Sequence, residues 1–351
     1  MTKFLLKILI FLLVPLVSLM VIGALLPINF FAYRTWEAIS FKTNISDYSP
    51  FYRNTKLKMI GVGDLCHHTD YSVTKKEYWI TDKYGFRNDK FISSPDILII
   101  GDSFIAGTSL SQEETISNRL KSQDNKLGVY NMAPSSFSSF DYYLTTGKIK
   151  KPKLIIYSLV ERSVPGPVKT YKCNFLKEGL KNLIELYNLD VYLDRAFKFS
   201  SIHWLAARFH DNTGSGIPSK ENSHMFFFQG SSQMHSADDL NTTASIIISY
   251  KKYCDSLGMD FLFIPMPDKE SVYFELVPFD QQPKYLSKLD SMLQIAHVST
   301  LNTLEIYNEY RKTSDKYLYH FDDTHWNANA TKIIAEEILQ KIQTNNQICI
   351  R

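Results

Sequence analysis

The chain has 351 residues, 44% hydrophobic and 21% charged, with 39 Lys and Arg against 36 Asp and Glu. This is a globular composition, and it excludes a disordered, collagen-like or coiled-coil chain. The positive excess lies in residues 1–34, which hold Lys3, Lys7 and Arg34 and no acid. A body that is otherwise balanced gives no electrostatic reason for a nucleic-acid partner.

No charged residue occurs from Ile8 to Tyr33. As a helix that run is about 39 Å long, enough to cross a hydrocarbon core of roughly 30 Å with some tilt. Pro15 and Pro27 are tolerated in such spans. A cleaved signal peptide is the competing reading, but its apolar core is shorter, and only Val21-Ile22-Gly23 resembles a cleavage site. Residues 1–34 are therefore read as a single-pass anchor. Lys3 and Lys7 place the N-terminus in the cytoplasm and the body in the periplasm or outside the cell. Cys66, Cys173, Cys254 and Cys349 are too scattered for a disulfide scaffold, and sequence alone does not choose their pairing. Cys66-His67-His68 reads as a loop, because neighbouring residues rarely converge on one ion; no metal or cofactor is expected.

Residues 35–95 are mixed and polar, a membrane-proximal extension with turn signals at Tyr48-Ser49-Pro50 and Tyr84-Gly85. Ile97-Leu98-Ile99-Ile100, between Pro95 and Gly101, has the pattern of a strand buried on both faces. Ser111 to Glu114 forms a capping box, predicting a helix with Ile116 and Leu120 on its inner face. A strand over 127–130, a helix over 139–146 and a strand over 154–157 follow. The alternation resumes with a helix over 244–257, a strand over 259–264 and a helix over 285–296. A last helix from Asn327 buries Ile334, Ile338 and Ile342. This is an α/β domain over 96–345 with a mostly parallel central sheet. Residues 164–237 break the rhythm and read as an insertion or cap over the sheet, with one or two helices in 175–199.

Chemistry concentrates at two places. Ser103, in Gly101-Asp102-Ser103-Phe104, stands at the carboxyl end of the first strand, where open parallel sheets bind ligands. His320-Phe321-Asp322-Asp323-Thr324-His325-Trp326-Asn327 precedes the last helix. A serine nucleophile needs a base oriented by a carboxylate. A helix N-cap explains Asn327 but not the Trp-flanked histidine.

Together these two motifs resemble the SGNH (GDSL-type) hydrolase superfamily. The anchor, the segment Thr81-Asp82-Lys83-Tyr84-Gly85-Phe86-Arg87-Asn88 and the pair His325-Trp326 resemble its membrane-anchored branch, which is linked to O-acetylation of exported polysaccharides as in alginate O-acetyltransferases. The resemblance covers residues 80–343 apart from the insertion, and implies a three-layer flavodoxin-like fold. By position, Ser103 is the nucleophile, His325 the base and Asp322 its acid, with Asp323 the rival acid. The oxyanion donors would be the N–H groups of Ser103 and Ser136, the latter where the superfamily has glycine. Where the superfamily has an asparagine, this chain has Leu159-Val160-Glu161-Arg162. Arg162 either replaces that donor or pairs with Glu161 and stiffens the turn.

The resemblance implies acyl transfer through a serine ester to a hydroxyl of an exported polysaccharide, with 164–237 as a lid against water. It further implies a multi-span membrane partner that supplies the acyl group. A carbohydrate or lipid esterase with the same residues is the second reading, and a non-catalytic polysaccharide-binding or assembly subunit the third. Asn44, Asn241 and Asn329 stand in glycosylation context, Asn329 within a predicted helix.

Overall fold

The computed structural model of the chain describes residues 2–32, 34–43, 49–67, 69–171, 188–200, 214–221, 224–232, 236–279 and 285–344, together with Gly179. Cys173, Cys349, Asn44 and His68 lie outside the described residues. Four strands form the central sheet: β3 (Ile97–Ile100), β4 (Val129–Asn131), β5 (Leu154–Val160) and β8 (Asp260–Met266). Their order is β4-β3-β5-β8 and every pairing is parallel, with Ile97 opposite Val129 on one side and Leu154 on the other.

Both faces of this sheet are covered, which is why β3 has no polar residue. Ile97 and Ile99 point to one core, shared with Leu120 of α4 (Ile116–Gln123) and with Ile334 and Ile338 of α11 (Ala328–Thr344). Leu98 and Ile100 point to the other. There they join Phe137 of α5 (Phe137–Thr145), Tyr250 of α7 (Ala237–Ser256) and Leu289 of α9 (Tyr285–Ile295). The result is the expected three-layer α/β domain. Ile342 is only half-buried at the fraying end of α11.

Some boundaries differ from expectation. The Ser111–Glu114 capping box forms, but it opens a single 3₁₀ turn; Thr115 then caps α4 by accepting from the Asn118 N–H. The stretch 303–313, unassigned in the sequence, is α10 (Thr303–Thr313), begun by Asn302 as N-cap. Residues 35–95 hold α2 (Thr35–Ile39) and an antiparallel hairpin, β1 (Lys56–Gly61) with β2 (Lys75–Ile80).

The segment Thr81–Asn88 proves to be a structural hub. The Asp82 carboxylate accepts from the N–H groups of Tyr84 and Phe86, from Asn88 Nδ2 and from the Tyr130 hydroxyl. Arg87 is fully buried over the Trp79 ring at 3.8 Å and donates to the carbonyls of Tyr78, Ala106, Gly107 and Leu110. Burial lowers its guanidinium to about 9.

The N-terminal helix α1 (Thr2–Leu25) is long and apolar enough to cross a membrane, and nearly all of its surface is exposed. Among the described parts of the insertion, Val168 and Tyr171 pack against the core on one face of the sheet, and Met225 and Phe227 join the core on the other. α6 (Leu189–Ser200) packs on α1 and on residues 37–53, held by Asp190 to Arg53 and by Asp194 to Thr43 and Tyr52. A short ribbon, β6 (Gly216–Pro218) with β7 (Phe226–Phe228), instead flanks the histidine loop through the Phe226 N–H to Phe321 carbonyl bond, 2.9 Å. Cys66 and Cys254 are buried free thiols. Burial raises Cys66 to about 11, and it takes part in no metal cluster among the described residues.

Candidate active site

The chain leaves β3 through Gly101, where a Cβ would strike Ile105 at 2.6 Å, so the sharp turn requires glycine. Asp102 then caps the one-turn helix α3 (Ser103–Ala106). Its carboxylate accepts from the Phe104 N–H at 2.9 Å and from the Val160 N–H, at the end of β5, at 2.8 Å. This half-buried staple fixes the serine turn to the neighbouring strand, and burial raises the carboxyl.

The partner loop, residues 320–325, is closed at its base by the antiparallel bridge between Tyr319 and Trp326. Its carbonyls point inward, and the buried Lys269 ammonium collects them. Lys269 begins α8 (Lys269–Val272) and donates to the carbonyls of His320, Phe321, Asp323 and Phe226 at 2.6–3.2 Å. Burial lowers this amine to about 8. Trp326 is buried behind the loop and donates to the Phe104 carbonyl at 3.2 Å.

Ser103 Oγ lies 2.8 Å from His325 Nε2, and His325 Nδ1 lies 2.6 Å from Asp323 Oδ1. A carboxylate only accepts, so Nδ1 carries the proton and Nε2 receives the serine hydroxyl. Asp323 also accepts the His325 N–H at 3.0 Å and the Ser109 hydroxyl. Burial alone would raise its carboxyl; the His325 ring and Lys75 outweigh that and hold it well below the usual range. His325 is 6% exposed, so the relay meets solvent mainly at Ser103.

The carboxylate that meets His325 is therefore Asp323, the rival of the expected Asp322. Asp322 accepts from the Gly63 N–H at 2.8 Å, the Val73 N–H at 3.0 Å and Lys75 Nζ at 2.7 Å. Through 322–325, a turn followed by bends, successive side chains alternate between two sides. Asp323 and His325 face the serine, while Asp322 and Thr324 face residues 62–75.

That second side holds a residue the sequence reading missed. Asp64 accepts the Thr324 N–H at 2.8 Å and its hydroxyl at 2.7 Å, and its Oδ2 stands 4.0 Å from His325 Nδ1. Burial, then the Asp323 charge, raise the Asp64 carboxyl. Asp64, Asp323 and His325 have a spacing that would suit a metal, yet protein donors already engage the carboxylates.

Of the oxyanion candidates, Ser103 opens α3. Ser136 caps α5, accepting the Ser139 N–H, and its neighbour Ser135 donates to the Gly101 carbonyl at 2.9 Å. The turn holding Ser136 is thus fixed beside the serine turn. Arg162 is bound by Asp268 and lies 5.8 Å from the Phe104 ring centre, while Glu161 accepts from the Asp268 N–H and the Ser271 hydroxyl.

Residues 223–349 match the family model of the SGNH hydrolase-like domain of the acetyltransferase AlgX. That segment contains the histidine loop, Lys269 and α11, and the serine turn that completes the relay lies outside it. Over that segment the chain is similar to the SGNH hydrolase-like domain. Among solved structures, the acetylxylan esterase Axe2 of Geobacillus stearothermophilus is 12% identical, covering 72% of this chain and 95% of that one with a TM-score of 0.34. A putative acylhydrolase of Bacteroides fragilis is 10% identical, covering 74% and 88% with a TM-score of 0.35. No curated protein matches the sequence.

Proposed function

We propose that the protein is a membrane-anchored serine O-acyltransferase that moves an acetyl or similar small acyl group onto hydroxyls of an exported polysaccharide. The observation that carries this reading is the unbroken relay from Ser103 through His325 to Asp323. In the first step Nε2 takes the Ser103 proton as Oγ attacks the donor ester carbonyl. The departing alcohol takes that proton back, leaving an acyl ester on Ser103. In the second step a sugar hydroxyl gives its proton to His325, attacks the ester and restores the serine. The developing oxyanion is held by the N–H groups of Ser103 and Ser136, with Arg162 as a nearby charge.

α1 serves as the anchor, with Lys3 and Lys7 on the cytoplasmic side and the body outside it. A multi-span membrane protein would present the acyl donor. The intact relay weighs against a non-catalytic binding subunit. The test is incubation of the full chain in detergent with an activated acetyl ester and a panel of oligosaccharides, followed by mass spectrometry. Acetylated sugar that disappears in Ser103→Ala is the expected result. Release of free acetate alone, dependent on Ser103, would assign an esterase.

A further inference from the structure

α6 has three distinct faces. Asp190, Asp194 and Lys198, four apart, form the first. Asp190 pairs with Arg53; Asp194 accepts from the Lys42 and Thr43 N–H groups at 2.7 Å; Lys198 donates to the Ser40 carbonyl at 2.6 Å. The second face lies on the end of α1. A Cβ on Gly23 would sit 3.1 Å from the Arg195 backbone, and the Arg195 guanidinium donates to the Leu26 carbonyl. The third face points outward and is apolar: Leu189, Leu193 and Phe197, again four apart, with Leu189 40% and Phe197 52% exposed. Tyr192 is also 42% exposed.

We infer that α6 is an interfacial helix whose outward face lies against the lipid bilayer at the level where α1 leaves it. The inference rests on α1 being a membrane span. The candidate span in α1, Lys3–Leu25, is 23 residues long, and its uncharged part runs from Ile8. At 1.5 Å per residue it is only slightly longer than a hydrocarbon core of roughly 30 Å. Gly23 and Leu26 therefore fall at its outer boundary, and a helix packed on them is held at that depth. Interfacial helices have this construction, apolar on the lipid side and polar on the other, and a tyrosine ring suits the headgroup level.

Lipid is the occupant because α6 packs on the end of α1, where Val21, Ile22 and Leu25 stand exposed. A helix docked on the end of a span meets what surrounds the span. Since the polar face of α6 is locked to residues 40–53, this second attachment holds the body at a fixed angle to the membrane instead of on a free tether.

The test is photocrosslinking of the full chain in proteoliposomes of phosphatidylethanolamine and phosphatidylglycerol. p-Benzoyl-phenylalanine is placed in turn at Tyr192, at Val14 within α1, and at Ile295, which is 82% exposed on α9. The expected result is a phospholipid adduct at the Tyr192 position in a yield like that at Val14 and about tenfold above Ile295. A lipid adduct at Val14 but not at Tyr192 would overturn the interfacial helix alone. Absence of lipid at both would overturn the span as well. A crosslink from the Tyr192 position to a second copy or another protein would replace lipid as the occupant and contradict the inference.

Discussion

Asp64 holds Thr324 by two hydrogen bonds, one from its N–H and one from its hydroxyl, and Thr324 is the residue between the acid and the base of the relay. The clasp is reciprocal. Asp322, one residue before the acid, accepts from Gly63, Val73 and Lys75. Gly63 is glycine for this reason, since a Cβ there would fall 2.0 Å from the Asp322 carbonyl oxygen. The loop and hairpin that precede the sheet are thus part of the site's construction, and the two adjacent aspartates do different work.

This separates two conservative substitutions. Asp323→Asn keeps the shape but favours the wrong imidazole tautomer, and acylation should fall by about 10⁴-fold. Asp322→Asn leaves the relay in place but removes the nearer carboxylate from Lys75, which is 8% exposed at its side chain and keeps only Asp323 at 3.9 Å. Breaking a buried pair costs about 3–5 kcal/mol, so the melting temperature should drop while the acylation rate of the folded fraction stays within about threefold. Stopped-flow bursts and thermal melts on both variants check the division.

Asp64 predicts a pH signature in stability. Its folded pKa is raised above the ordinary 3.8, chiefly by burial. A carboxyl of this kind favours the folded state fully below the unfolded value and loses that contribution as pH rises through the folded value. Asp64→Asn mimics the protonated form. It should melt higher than the parent at neutral pH, with the difference closing towards pH 4. It should also acylate more slowly, because an anion 4.0 Å from Nδ1 steadies the imidazolium. Melts across pH and pre-steady-state bursts measure the two effects.

Arg87 predicts a severe loss. Arg87→Met would take this donor from the carbonyls of Tyr78, Ala106, Gly107 and Leu110, of which Gly107 keeps the Leu110 N–H, at about 1–3 kcal/mol for each buried carbonyl left unpaired. The turn it pins carries Ser109, which donates to Asp323. Hydrogen exchange should show residues 106–110 opening, and denaturant titration should show a shifted midpoint.

What could be read from the sequence follows from range. β3 announced itself because burial on both faces demands an unbroken apolar run, and Ser103 and His325 because each sits in a motif beside an element boundary. β1 was readable too, as Lys56, Lys58 and Ile60 alternate outward with Leu57 and Met59, but its charge made it look like loop. The choice between Asp322 and Asp323 was not local. It depends on Lys269 gathering the loop carbonyls, and on Asp64 and Lys75 meeting the loop's other side. None of these partners lies near it in the sequence. α6 was visible as a helical pattern, but its place against α1 depends on contacts 150 or more residues apart, such as Asp194 with Thr43.

The central claim is an acyl ester on Ser103 made by this relay. Mixing the full chain with an activated acetyl ester, quenching in acid within the burst and mapping the peptides by mass spectrometry tests it directly. The account predicts one acetyl group on the peptide containing Ser103, absent in Ser103→Ala and strongly reduced in Asp323→Asn. A folded protein that carries no acetyl group, or carries it elsewhere with Ser103 unmodified, would contradict it.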